Sequence, residues 1–187
     1  KEYVYPMIRG HALYEGVYFL GTSIARPLIA KRQIAVAKKY RAYAVSHGST
    51  GKGNDQVRFE IGAYALKPDI KVIAPWREWE YKSRSDLVDY CKKYQIGIEN
   101  IKEDHPSYSM DENLLHSSYE GGDLEDLTKE APESLWKRTS SIQNSPEEAE
   151  TLTLEFLKGD PVAINNRRMK PVEILTQMNE IAGKNGI

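Results

Sequence analysis

The chain has a single cysteine, Cys91, which excludes an internal disulfide and fits a reducing compartment. No apolar run reaches the roughly 20 residues of a membrane-spanning helix, and no signal-peptide pattern stands at the start. The expectation is a cytoplasmic protein away from membranes. Charge of one sign is lacking as well. The 26 Lys and Arg residues stand against 27 Asp and Glu, with no basic block, so neither nucleic acid nor a membrane surface is an expected partner. His11, His47, His105 and His116 lack metal-ligand spacing and have no second cysteine to join, so no structural metal is expected. Generic nucleotide motifs are missing too. Counting back from Gly51-Lys52 puts Ser46 where a Walker A loop needs its first glycine, and Gly53 follows the lysine. A G-x-G-x-x-G pattern begun at Gly51 and Gly53 ends on Gln56. No internal repeat is evident.

What is present concentrates between His47 and Glu60. Ala42-Tyr43-Ala44-Val45 reads as a buried strand, and Val57, Phe59, Ile61 and Leu66 lie among good helix formers after it. Between them stand Gly48, Gly51 and Gly53. A strand, a glycine-rich loop and a helix N-terminus leave backbone amides pointing outward, an arrangement that suits a phosphate or carboxylate. Lys52 adds a positive charge. Asp55 suits a helix start or could meet a ligand ammonium group. Asn54 and Arg58, four apart, share one helix face. The plain rival is a surface loop whose glycines only make tight turns.

Several other segments read as regular structure. Glu2 to Ile8 is amphipathic and helical, and Tyr14 to Leu20 is an aromatic- and glycine-rich loop. A helix is predicted from about Pro27 to Tyr40, with Leu28/Ala35 and Ile29/Val36 forming one apolar seam and Pro27 confined to the first turn. Ile70 to Ala74 is a second buried strand, and Ser83 or Ser85 caps a helix carrying Cys91 on its apolar side, where the thiol is read as core. Alternation of this kind argues for a parallel sheet flanked by helices. Composition shifts near Asn100. Ile101 to Ser109 is polar, Leu114 to Tyr119 a strand, and Asp123 to Gln143 charged and irregular. Residues 152–156 and 162–164 make a hairpin around Lys158-Gly159-Asp160-Pro161. Pro171 opens a last helix with Val172, Leu175, Met178 and Ile181 on one face, and Gly183 stops it. A chain of 187 residues is one large domain or one and a half. The boundary is placed near residue 100, giving a partial nucleotide-binding α/β domain over 1–100 and a partial α+β domain over 101–187.

Ser46-His47-Gly48-Ser49-Thr50-Gly51-Lys52-Gly53-Asn54-Asp55-Gln56-Val57-Arg58-Phe59-Glu60 resembles the characteristic loop of the argininosuccinate synthase family. Further segments agree in order: Ala12 to Glu15 with Leu20 to Pro27, Val72 to Arg77, and Ser109 to Leu114. The likeness runs from near residue 1 to Ile187.

The resemblance implies an α/β fold, a parallel Rossmann-like sheet of the ATP pyrophosphatase type flanked by helices, followed by the start of an α+β synthetase domain. It implies an ATP-dependent carbon–nitrogen ligase of arginine biosynthesis and the urea cycle. The citrulline ureido oxygen attacks the α-phosphorus of ATP, releasing pyrophosphate, and the aspartate amine then displaces AMP from the citrullyl-adenylate. Chemistry of this kind depends on positioning and on neutralising phosphate charge. By matching motifs, Ser46, His47, Gly48, Ser49, Thr50, Gly51, Lys52, Gly53 and Asn54 line the ATP side, with Mg as counter-ion. Thr50, Asn54 and Asp55 hold aspartate. Tyr18, Ser23, Asn54, Arg58, Ser109 and Ser118 hold citrulline, with Arg58 as the carboxylate clamp. The family further implies a homotetramer. One departure stands out: the family's Ser-Gly-Gly-Leu-Asp-Thr-Ser type ATP loop has no counterpart, since no Ser-Gly-Gly occurs in the chain. The chain therefore reads as a middle portion, expected to be inactive alone. Two alternatives stay open at this point: another ATP pyrophosphatase-type ligase, and a non-catalytic binding module derived from the synthase.

Overall fold

The computed structural model describes residues 1–51, 53–81, 83–97 and 108–187; Lys52 and His105 lie outside them. In chain order the elements are α1 (Val4–Arg9), β1 (Leu13–Tyr14), β2 (Tyr18–Phe19), α2 (Gly21–Lys39), β3 (Ala44–Ser46), α3 (Asn54–Leu66), β4 (Lys71–Ile73), α4 (Pro75–Glu78) and α5 (Arg84–Lys93). Then follow β5 (Tyr108–Glu112), β6 (Ser117–Gly121), β7 (Leu154–Leu157), β8 (Asp160–Ile164), β9 (Arg167–Arg168) and α6 (Pro171–Lys184). No helix among the described residues is long and apolar enough to cross a membrane. The chain divides into two compact units: Thr22–His105, and Lys1–Gly21 together with Pro106–Ile187.

In the Thr22–His105 unit, β3 and β4 pair in parallel, Val45 opposite Val72, with α3 as the crossover between them. Parallel neighbours require such a connection, and an α-helix is its usual form. The unit is thus mixed α/β, with two parallel strands among the described residues. Its core gathers Ile34, Ala37, Val45, Ala63 and Ile70. The expected seam on α2 is corrected: Ile29 and Val36 are exposed, whereas Ala30, Ile34 and Ala37 are buried. Small side chains decide this face. A Cβ at Gly62 of α3 would stand 3.0 Å from the Ala30 Cβ and 3.8 Å from the Pro27 Cα, so α2 and α3 approach closely where both carry little bulk. Pro27 is also corrected, since α2 starts at Gly21 and the proline lies inside it. Its ring leaves the Ser23 carbonyl without the usual N–H four residues on. Ser83 caps α5 as expected, through a reciprocal pair: its Oγ accepts the Asp86 N–H at 3.1 Å, and its own N–H donates to the Asp86 carboxylate at 2.9 Å. Cys91 on this helix is half-buried.

In the other unit, β7, β8 and β9 form an antiparallel sheet and β5 and β6 a separate hairpin. Both turns of the three-stranded sheet have consecutive residues at positive φ, Lys158-Gly159 and Asn165-Asn166. This is the geometry that matches strand twist in two-residue hairpins. Strand β8 carries the core. Tyr5 of α1 is 2% exposed and donates its hydroxyl to the Pro161 carbonyl at 3.0 Å. Asp160, the first residue of β8, takes Arg9 at 2.7 Å.

Four expectations for this unit are revised. The Tyr14–Leu20 loop contains the short β1–β2 pair. The strand read at 114–119 runs from Ser117 to Gly121 and pairs with Tyr108–Glu112. Val172 of α6 is exposed, and the large side chain that α6 buries is Ile174, at 1%. Gly183 does not stop α6, which continues through Lys184. That glycine is buried against the Arg138 carbonyl, where a Cβ would collide, and its own carbonyl accepts the Ser140 N–H at 2.8 Å. Close approach, not termination, explains it.

Candidate functional site

The glycine loop leaves the C-terminal end of β3, the usual place for ligands in α/β sheets. Ser46 is anchored there twice: its Oγ donates to the Ile73 carbonyl at 3.0 Å, and its carbonyl accepts from Gln33 Nε2 at 2.8 Å. His47 then turns inward and stacks on Phe59, ring centroids 5.5 Å apart and nearly parallel at 17°. Its Nδ1 accepts the Ser49 N–H at 3.3 Å, so the ring proton sits on Nε2, which donates to Glu60 Oε1 at 3.3 Å. Glu60 also receives the Arg77 guanidinium. One carboxylate thus ties the start of the loop to α3 and to the segment after β4. Replacing Glu60 by alanine is expected to lower stability by about 2 kcal/mol, because the buried imidazole N–H loses its acceptor. Glu60→Gln, which keeps an acceptor, is expected to cost less than half as much; urea unfolding of the two variants makes the comparison.

Past His47 the loop opens. Nothing lies within 4 Å of where a Gly48 Cβ would stand. Gly51 runs against the Arg77 side chain, and Gly53 lies against the Thr50 hydroxyl, where a Cβ would be 3.0 Å away. Gly53 precedes α3 in an extended conformation with no side-chain cap, so the first-turn amides face outward, with Asn54 exposed beside them.

Asp55 sits one residue into that turn and is held by two arginines. Arg26 of α2 forks onto its Oδ2 through Nη2 at 2.7 Å and Nε at 2.9 Å, while Arg58 Nη1 reaches Oδ1 at 3.1 Å. Among the described residues two guanidiniums share this carboxylate, an arrangement suited to an anionic ligand. Ser23 stands three residues before Arg26, on the same side of α2. The sequence left Asp55 open between a helix-start acid and a contact for a ligand ammonium group, and Arg26 was not among the candidate site residues. Arg26 lies in one of the matching segments, but nothing local tells that it reaches Asp55.

Tyr18, Ser109 and Ser118 belong to the other unit. The β5–β6 register sets Ser118 opposite Asp111 and Ser109 opposite Glu120. Facing pairs share a side, so both serines lie on one face of the ribbon with the two carboxylates. The other face carries Tyr119, packed edge-on against Trp136 at 6.5 Å, and Glu112, paired with Arg138 at 3.1 Å. Tyr18 meets the turn of the same hairpin, its hydroxyl 3.1 Å from His116 Nε2 and the two rings 4.7 Å apart. His116 was not singled out from the sequence as a site residue.

Burial pushes the His116 imidazole below its ordinary value of 6.5; the Asp111 carboxylate opposes this, and the Arg138 charge adds a smaller push in the same direction as burial. The unfolded chain therefore binds the proton more readily. The stability contributed by the neutral ring is complete above pH 6.5 and declines as pH falls through the lower folded value. Denaturation midpoints between pH 7 and pH 5 are expected to fall less steeply in His116→Gln than in the parent chain.

The family model for the arginosuccinate synthase N-terminal HUP domain matches residues 1–97, and that for the arginosuccinate synthase C-terminal domain matches residues 108–187. The chain belongs to the argininosuccinate synthase family. The argininosuccinate synthase of Pelagibacter ubique is 57% identical over 187 residues, all of this chain and 47% of that protein. The Pseudomonas aeruginosa enzyme is likewise 57% identical with 46% of its length covered, and that of Rhodospirillum centenum 54% identical, also over 46%. The chain spans about half the length of these curated relatives. The resemblance read from the glycine loop and its companion segments thus stands, and with it a HUP-type, Rossmann-like N-terminal portion.

Proposed function

We propose that this chain supplies substrate-holding parts of an argininosuccinate synthase, which ligates citrulline and aspartate at the expense of ATP, giving argininosuccinate, AMP and pyrophosphate. The observation that carries the reading is the loop from Ser46 to Asn54, anchored at β3 and ending in an uncapped helix start beside Asp55, Arg26 and Arg58. Open glycines and outward amides fit ATP phosphates, and Mg enters as the counter-ion those phosphates bring. Thr50, Asn54 and Asp55 are assigned to aspartate. Tyr18, Ser23, Asn54, Arg58, Ser109 and Ser118 are assigned to citrulline, with Arg58 on its carboxylate.

The chemistry asks mainly for orientation and charge neutralisation, so these binding groups are also the catalytic equipment. The proposal extends to domains over 1–100 and 101–187, a cytoplasmic homotetramer, and no turnover by the 187-residue chain alone. Titration calorimetry of this chain with citrulline, aspartate and ATP tests the reading. Heat with citrulline that Arg58→Ala reduces at least about tenfold in affinity is expected, the worth of one charged hydrogen bond. Silence toward all three ligands favours the non-catalytic module. Pyrophosphate release dependent on citrulline and ATP would show that the chain is active by itself.

A further inference from the structure

The turn joining β5 and β6 decides how Tyr18 can speak to a ligand. Asn113 Oδ1 accepts two backbone N–H groups, from Leu115 at 2.9 Å and from His116 at 3.2 Å. An amide oxygen so engaged fixes the orientation of the whole carboxamide, because a flipped amide would set N–H against N–H. Gly21 lies directly against this amide, where a Cβ would collide with it. The Asn113 Nδ2 is therefore a donor, and it faces His116 Nε2 at 3.4 Å. A nitrogen facing an amide donor serves best as an acceptor, which places the ring proton of the neutral imidazole on the buried Nδ1, the two contacts at Nε2 outweighing the cost of burying that hydrogen. Nε2 then also takes the Tyr18 hydroxyl proton at 3.1 Å.

We infer that His116 is a positioning residue that commits the only proton of the Tyr18 hydroxyl, so that Tyr18 faces its ligand purely as a hydrogen-bond acceptor. The group it meets is then an N–H donor. The inference rests on the reading of Tyr18 as a citrulline contact and narrows it. On citrulline the partner is one of its N–H donors, the terminal ureido NH2, the internal ureido N–H or the α-ammonium, not the carboxylate or the ureido oxygen. His116, one residue before β6, continues the alternation that puts Ser118 and Asp111 on one ribbon face, the side where citrulline is assigned.

Two measurements test this separately. Nitrogen-15 NMR of the histidine side chains in the ligand-free chain reads the ring directly. His116 Nε2 is expected to resonate as an unprotonated nitrogen and to shift in Tyr18→Phe; a protonated Nε2 overturns the inference whatever citrulline does. Calorimetry then compares parent and Tyr18→Phe with citrulline, with 5-ureidopentanoate, which lacks the ammonium, with Nδ-methoxycarbonylornithine, which lacks the terminal NH2, and with 2-amino-6-carbamoylhexanoate, which has CH2 in place of the internal N–H. Tyr18→Phe is expected to weaken citrulline about tenfold, one hydrogen bond's worth, and to make no difference for one of the three analogues. A loss that persists with all three means that Tyr18 donates, and the inference falls. His116→Phe is expected to reproduce the tenfold loss, whereas His116→Gln, whose carbonyl can accept the same O–H, should stay within about threefold of the parent. If Tyr18→Phe binds citrulline as the parent does, the functional reading of Tyr18 is what fails, while the ring assignment stands on the NMR result.

Discussion

Gly183→Ala is expected to lower the stability of the chain by about 3 kcal/mol, at the upper end for forcing atoms into a packed site. The added methyl would meet the Arg138 carbonyl, which is backbone and cannot swing aside. Relief requires α6 to move away from the segment around Arg138, and the bond from the Ser140 N–H to the Gly183 carbonyl goes with it. Alanine is the better helix former by about 1 kcal/mol, so a neutral or stabilising result would show that propensity prevails and that the contact is soft. Gly97→Ala serves as the control. Nothing lies within 4 Å of its Cβ position, and the change should stay within about 0.5 kcal/mol. Urea midpoints with unchanged slopes make the measurement.

Asp55→Ala should have the largest effect on ligand binding. Its carboxylate joins α2 to α3 through Arg26 and Arg58. Removing it leaves two guanidiniums side by side without their common counter-charge, and it frees Arg58 from its geometry. Citrulline and aspartate affinities are both expected to fall, by about 30-fold or more, the equivalent of roughly 2 kcal/mol for a charged hydrogen-bonded group. Stability should change far less, because these side chains are a quarter to a third exposed, at 22%, 30% and 32%. Asp55→Asn keeps an acceptor and should recover part of the affinity. If Asp55→Ala lowers the denaturation midpoint but leaves both affinities intact, the carboxylate is a structural clamp and its assignment to aspartate is wrong.

How much of this could be read beforehand differs from segment to segment. The α3 helix behind the glycine loop, the Ser83 cap and the Lys158-Gly159 turn were legible because each is decided within a few residues. The parallel pairing of β3 and β4 followed from strand, helix and strand in succession. Arg26 on Asp55 and His116 on Tyr18 were not legible: their partners lie 29 and 98 residues away, and no local pattern distinguishes them from an ordinary surface arginine or histidine. The buried face of α2 was misread because apolar bulk was taken as the signal, while beside Ile34 the packed side carries Ala30 and Ala37, and at Ala30 the neighbouring α3 comes near. The β9 strand has only two residues, too few for any alternation to register.

The order of residues by itself determined the family and the succession of strand, glycine loop and helix, since these depend on residue types at short spacing. Tertiary structure alone decided which carboxylate holds which guanidinium, which side of α2 and α6 is covered, and which proton Tyr18 can offer. Those outcomes depend on distances between segments far apart along the chain, and such distances exist only once close packing has brought the segments together.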